Sequence, residues 1–149
     1  MALVNADYKF IFVDIGKNGR THDSAVFCES PLGIKLKENN LNLPQPSSLR
    51  GFNFKLPYVI VGDDAFPLHI NLMKPYPKRG LTQERRIFNY RLSRARRISE
   101  NAFDILANRF RILLNPIALA VEKVETVTYA CVLLHNFLLS KNQQNYIPF

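Results

Sequence analysis

Between Thr82 and Leu113 the chain contains neither glycine nor proline, and Phe88, Leu92, Ala95, Ala102, Ile105, Leu106, Phe110 and Leu113 recur mostly at spacings of three or four. Only an α-helix brings residues so spaced to one side. Pro116 closes the stretch, and Val124, Val127, Ala130, Cys131, Leu134 and Leu138 repeat the pattern over Val121–Leu139, predicting a second helix. Upstream the punctuation changes. Tyr8–Ile15 is a branched and aromatic run ended by Gly16 and Gly19, and Tyr58–Gly62 is a short continuous apolar run of the kind that a strand buried on both faces shows. Between them, Ala25, Val26, Leu32 and Leu36 predict a helix that is interrupted and restarts at Pro31, followed by an irregular loop over residues 39–57. Pro67, Pro75 and Pro77 leave room only for a turn and a brief strand through Asn71–Lys74. Short strands followed by long helices give an α/β chain.

With 149 residues, 47% of them hydrophobic and 21% charged, this is a single domain with one real core and no disordered tail. No apolar stretch approaches the roughly 18 residues that a membrane span requires. The N-terminus lacks a basic segment leading into an apolar one, so no secretory signal is expected. Cys28 and Cys131 stand alone, without the spacing of a zinc site or a disulfide framework, and are expected to be reduced and structural. The formal net charge of +8 is unevenly spread. Residues 81–114 hold eight arginines against three acidic residues and have no lysine, whereas residues 115–149 hold two of each sign. Guanidinium suits bidentate phosphate contact, and such a field attracts nucleic acid or another polyanion; a solvated helix face is the plainer explanation.

The run Val59-Ile-Val-Gly-Asp63 delivers a carboxylate to the carboxyl end of a strand, where open α/β sheets place their sites. Two-metal phosphodiester chemistry needs such carboxylates, since Mg²⁺ and its substitutes take oxygen ligands. Glu100, the only glutamate between Arg85 and Leu113, lies one helical turn beyond Arg96 and Arg97. Spacing alone is better served by a surface ion pair of Glu100 with one of those arginines, worth about 0.3–0.5 kcal/mol.

Five motifs in order carry more weight. Gly19-Arg-Thr-His-Asp-Ser24, Tyr58-Val-Ile-Val-Gly-Asp-Asp-Ala-Phe-Pro-Leu68, Leu72-Met-Lys-Pro-Tyr-Pro77, the run from Arg86 to Phe103, and Leu134-His-Asn-Phe137 stand as they do in PIF/Harbinger transposases. From about residue 3 to about residue 140 the sequence resembles their DDE superfamily endonuclease domain, particularly its insect-type and transposase-derived nuclease members. The resemblance implies a ribonuclease H-like fold and a DNA-cleaving site that uses a divalent cation, Mg²⁺ or Mn²⁺. It places Asp63 at the second aspartate and Glu100 at the glutamate, both as catalytic metal ligands; from its charge, the Arg-rich helix is expected to meet DNA through Arg94, Arg96 and Arg97. It implies an endonuclease domain over 1–140, a tail over 141–149, a Myb-like partner protein that supplies nuclear entry, and a nuclear location, or a cytoplasmic one without that partner.

The family's first aspartate lies in an Asp-Gly motif on a first strand, and this chain has no Asp-Gly dipeptide. The domain is therefore expected to be incomplete, truncated at its N-terminus and inactive alone, with the strand ending at Asp63 left with an open, self-associating edge. Asp14 is a weak substitute ligand, and Asp23 is better placed to cap the helix after it. A non-catalytic DNA- or protein-binding remnant of a transposase is the competing reading. His22 is expected on an exposed turn, His135 as a satisfied packing residue, Asn89 and Ser93 against DNA or solvent, and Tyr58, Phe66 and Tyr76 in core packing.

Overall fold

A computed structural model describes residues 1–17, 19–141 and 146–147. In chain order its elements are β1 (Ala2–Val4), β2 (Phe10–Val13), α1 (Asp23–Glu29), α2 (Pro31–Lys37), β3 (Ser47–Ser48), β4 (Lys55–Leu56), β5 (Ile60–Val61), β6 (Leu72–Met73), α3 (Gln83–Arg109), a 3₁₀ turn (Arg111–Leu114) and α4 (Val121–Lys141). Strands β1 and β2 pair antiparallel, as do β3 and β4, and β5 runs parallel to β6. The chain is thus mixed α/β. It divides into two compact units, one of Met1–Asn18 with Arg97–Phe149 and one of Gly19–Arg96.

In the first unit the hairpin pairs Ala2 with Val13, Leu3 with Phe12 and Val4 with Phe10, shifting register between Leu3 and Val4. The strand read over Tyr8–Ile15 is shorter because residues 5–9 are a turn held by one side chain. Asn5 Oδ1 accepts from the N–H groups of Asp7 (3.0 Å) and Lys9 (2.9 Å), and Tyr8 sits in the left-handed region at φ 62°. Strand β1 has too few residues to show an alternation in sequence. Phe10, Ala102, Leu106, Cys131 and Val132 form the core, with Val4, Val13, Phe110 and Val127 packed around it. Near the chain's end, Tyr146 is buried against Ile105 and Leu139. Of the tail expected over 141–149, residues 142–145, 148 and 149 lie outside the described residues.

The second unit begins with a corner between α1 and α2. Ser30 is fully buried there; its Oγ donates to the Phe27 carbonyl (2.7 Å) and accepts from the Gly33 N–H (3.0 Å), capping α2. Gly33 is required by this approach, since a Cβ would collide with the Phe27 carbonyl oxygen. Asp23 does not cap α1: it is the first residue of the helix, and His22, exposed as expected, is the N-cap without a side-chain bond. Its carboxylate sits at the positive end of α1 instead. The loop read over 39–57 contains the small β3–β4 hairpin, whose exposed two-residue strands carry no hydrophobic period.

Strand β5 spans only Ile60–Val61 of the run read over Tyr58–Gly62. Ile60 N–H donates to the Asn71 carbonyl and Gly62 N–H to the Met73 carbonyl, each at 2.8 Å. Alternation then turns the N–H groups of Val59 and Val61 to the opposite edge, where no described strand pairs. That edge has neither lysine nor interior proline to discourage pairing with another chain. We expect concentration-dependent self-association in sedimentation velocity, suppressed by Val61→Pro, which removes an open-edge donor without touching a β5–β6 bond. A monodisperse monomer at all concentrations would show that the edge is covered.

Candidate functional site

Asp63 follows β5 directly, in the second unit. Gly62 lets the chain turn there, because the Phe66 ring folds back to 3.0 Å from where a Cβ would stand. Phe66 in turn meets Phe27 edge-on at 5.0 Å, and its carbonyl accepts from Lys74 Nζ at 2.8 Å. Asp63 Oδ1 accepts from the Ala65 N–H at 2.9 Å, so half of its carboxylate closes a local turn. Asp64 beside it is exposed.

Glu100 lies exposed on α3, in the first unit. Asp14 continues from β2; its N–H donates to the Met1 carbonyl at 2.8 Å, and its buried Oδ2 has no partner among the described residues. Among those residues no three of His, Cys, Asp and Glu gather closely enough to hold a metal ion.

Helix α3 carries Arg85, Arg86, Arg91, Arg94, Arg96, Arg97 and Arg109. All except the half-buried Arg96 are exposed. Helical periodicity puts Arg86, Tyr90 and Arg94 on one face, and the Arg94 guanidinium lies 6.0 Å from the Tyr90 ring centroid. The helix starts at Thr82, whose Oγ1 accepts weakly from Arg85 N–H at 3.4 Å. Glu84 in the first turn has its carboxyl held below the usual carboxylate range by its own backbone N–H and by the Thr82 hydroxyl.

Two asparagines bind backbone on both sides of one residue. On α4, Asn136 Oδ1 accepts from Phe10 N–H (2.9 Å) and its Nδ2 donates to the Phe10 carbonyl (2.8 Å). On α3, Asn89 does the same for Tyr76, at 2.8 and 2.9 Å. Each amide replaces a neighbouring strand. Neither role was legible in the sequence, since an asparagine within a helix gives no sign of what it faces. Tyr58 and Tyr76 are not core residues; they are 46% and 43% exposed.

His135 precedes Asn136 and is fully buried. Its Nε2 lies 2.8 Å from the Tyr8 carbonyl, which only accepts, so Nε2 carries the proton and Nδ1 accepts from the Tyr146 hydroxyl at 3.0 Å. Burial lowers its pKa below the ordinary 6.5, against a smaller opposing effect of the Tyr8 bond. Burial also raises Tyr146, despite the Arg109 guanidinium 4.8 Å over its ring, and raises the Cys131 thiol. These groups are packing chemistry, neutral at pH 7.

A family model described as DDE superfamily endonuclease matches residues 1–136. Among curated proteins, "Protein ALP1-like" from Arabidopsis thaliana is 28% identical over 151 residues, covering 96% of this chain. The aligned part is 35% of that relative, so the chain spans about a third of the length of the curated relative it matches. No solved structure matches the chain.

Because His135 resists protonation when folded, the unfolded chain binds more protons below about pH 6.5. Its contribution to stability is complete above that value and is lost as pH falls toward the lower folded pKa. Urea midpoints should therefore fall between pH 7 and pH 5, and His135→Asn, though less stable, should lose that part of the slope. Equal slopes in the two proteins would show that other groups carry the acid sensitivity.

Proposed function

From the chain's membership of the DDE superfamily endonucleases, of PIF/Harbinger type, we propose that it acts as a DNA-binding member of that family that does not complete a metal site by itself. The observation that carries the reading is the charge on α3. Six arginines from Arg85 to Arg97 are uninterrupted by any acidic residue. Arg85 and Arg86 lie in the first turn, where the helix dipole is already positive and each cation costs about 0.3–1 kcal/mol. Selection for helix stability alone puts cations at the other end. A polyanion along this half of the helix turns the repulsion into attraction, and arginine's fork suits phosphate oxygens.

Two-metal chemistry needs more ligands than the described residues gather in any one place. Asp63 spends one oxygen on Ala65, and among the described residues no three of His, Cys, Asp and Glu gather closely enough to hold a metal ion. The proposal therefore keeps Asp63 and Glu100 as family positions and assigns DNA contact to Arg94, Arg96 and Arg97. It also takes residues 1–140 as a ribonuclease H-like domain and includes a Myb-like partner and a nuclear location. No helix among the described residues is long and apolar enough to cross a membrane.

Binding to mixed-sequence duplex DNA should be nearly independent of sequence and steeply weakened by salt. Replacing Arg94, Arg96 and Arg97 with alanine should flatten the plot of log affinity against log salt by about 0.9 per lost contact. Mg²⁺ or Mn²⁺ should bind weakly and should not support nicking. Robust nicking by the purified chain, abolished by Asp63→Ala and by Glu100→Ala, would overturn the non-catalytic reading.

A further inference from the structure

We propose that the turn from Pro75 to Gly80 is a second phosphate-contacting element and that Asn89 is its positioning residue; the inference rests on the DNA-binding reading and adds a surface to it. Tyr76 stands between Pro75 and Pro77, so it has the only backbone donor of that tripeptide. Asn89 takes this donor and also the Tyr76 carbonyl. The Tyr76 ring meets Phe88 edge-on at 5.2 Å, with the Arg85 guanidinium 4.8 Å from its centroid. One residue of the turn is thus fixed to α3 by two hydrogen bonds, a ring contact and a cation–π contact.

The consequence concerns Lys78 and Arg79. The chain between the pinned Tyr76 and the start of α3 is short, and Asn89 lies only about 9 Å along the helix axis from Gln83. Gly80, at φ 71°, reverses the chain back to the helix. Lys78 and Arg79 thus stand in the six-residue link from the pinned Tyr76 to the start of α3 at Gln83, which ties them to the N-terminal part of that helix. Both are exposed, and no described carboxylate pairs with them or with Arg86, Arg91 or Arg94. Lys74 is different, its Nζ being committed to the Phe66 carbonyl.

From residue 74 to residue 96 there are eight basic residues and one acidic residue, Glu84. A rigid turn that gathers unpaired cations beside a cationic helix end is costly for a free protein and favourable against a phosphate backbone. The planar, partly exposed faces of Tyr76 and Tyr90 suit a nucleic acid better than an acidic polypeptide.

The test is a cycle of variants measured with mixed-sequence duplex DNA over a range of salt. Lys78→Ala with Arg79→Ala should reduce the salt slope by about 1.8, with helix content by circular dichroism unchanged. Asn89→Ala, which alters no charge, should weaken binding several-fold in the native background and have no further effect when Lys78 and Arg79 are already alanine. Additive losses would overturn the positioning role, because a general packing defect adds to any loss of contacts. An unchanged slope in the Lys78 and Arg79 variant, while the Arg94, Arg96 and Arg97 variant loses slope, would overturn this inference and leave the DNA-binding reading standing. Absence of DNA binding by the native chain would overturn both. Equal binding of polyglutamate, at equal salt slope, would overturn the assignment to phosphate.

Discussion

The first unit depends on how α4 grips β2. A hairpin with strands of three and four residues is not stable alone in water, and its outer backbone groups need partners once buried. Two consecutive residues of α4 provide them: Asn136 binds both polar groups of Phe10, and His135 takes the Tyr8 carbonyl. The amide works because its donor and acceptor have the spacing of a peptide group. Phe10 is then held with its ring edge-on to Phe103 at 5.3 Å and to His135 at 5.2 Å, at the centre of the core. Removing the Asn136 amide leaves a buried donor and acceptor unsatisfied, at about 1–3 kcal/mol each, before any packing is disturbed.

Asn89 repeats the device in the second unit for a different purpose. Phe10 is buried in the core, whereas Tyr76 belongs to an exposed turn. Two hydrogen bonds in partly wet surroundings stabilise that turn by only about 1–3 kcal/mol. What they achieve is placement. Prolines on both sides of Tyr76 reduce the conformations the turn can sample, so the amide has little entropy to overcome. The same chemistry serves burial in one unit and the display of charge in the other.

The residues that were legible in advance are those with a period or a punctuation. Helices α3 and α4 and the α1–α2 break at Pro31 follow from spacing and proline. Strand ends were less legible, because the hairpin's limits are set by Asn5 closing a turn and by Asn136 on a helix more than a hundred residues away. His135 could be read as a satisfied packing residue since one histidine in an apolar run has few other uses, although its partner Tyr146 could not be named. The clamps were hidden for a general reason: a polar residue inside a helix has the same appearance in sequence whether it faces water, a ligand or another segment's backbone. The carboxylates illustrate the reverse. Asp63 and Glu100 stand out by motif, yet a motif fixes order along the chain and not how many ligands gather in space.

Helix α3 joins these themes because its two halves obey different rules. From Ile98 onward it contributes Ala102, Ile105 and Leu106 to buried clusters and carries Glu100 and Asp104 against a single arginine, as a helix selected for packing does. Before Ile98 only Leu92 is buried, and the cations crowd toward the positive end of the dipole. Glu84 in the first turn offsets part of this. The offset is incomplete, since one carboxylate faces six guanidinium groups between Arg85 and Arg97. On the proposed DNA-binding reading, the first half of the helix answers to a partner outside it while the second half answers to the core. Phosphate is the chemistry that repays that arrangement most fully, since each cation that repels its neighbours in the free protein releases a counterion from a bound strand.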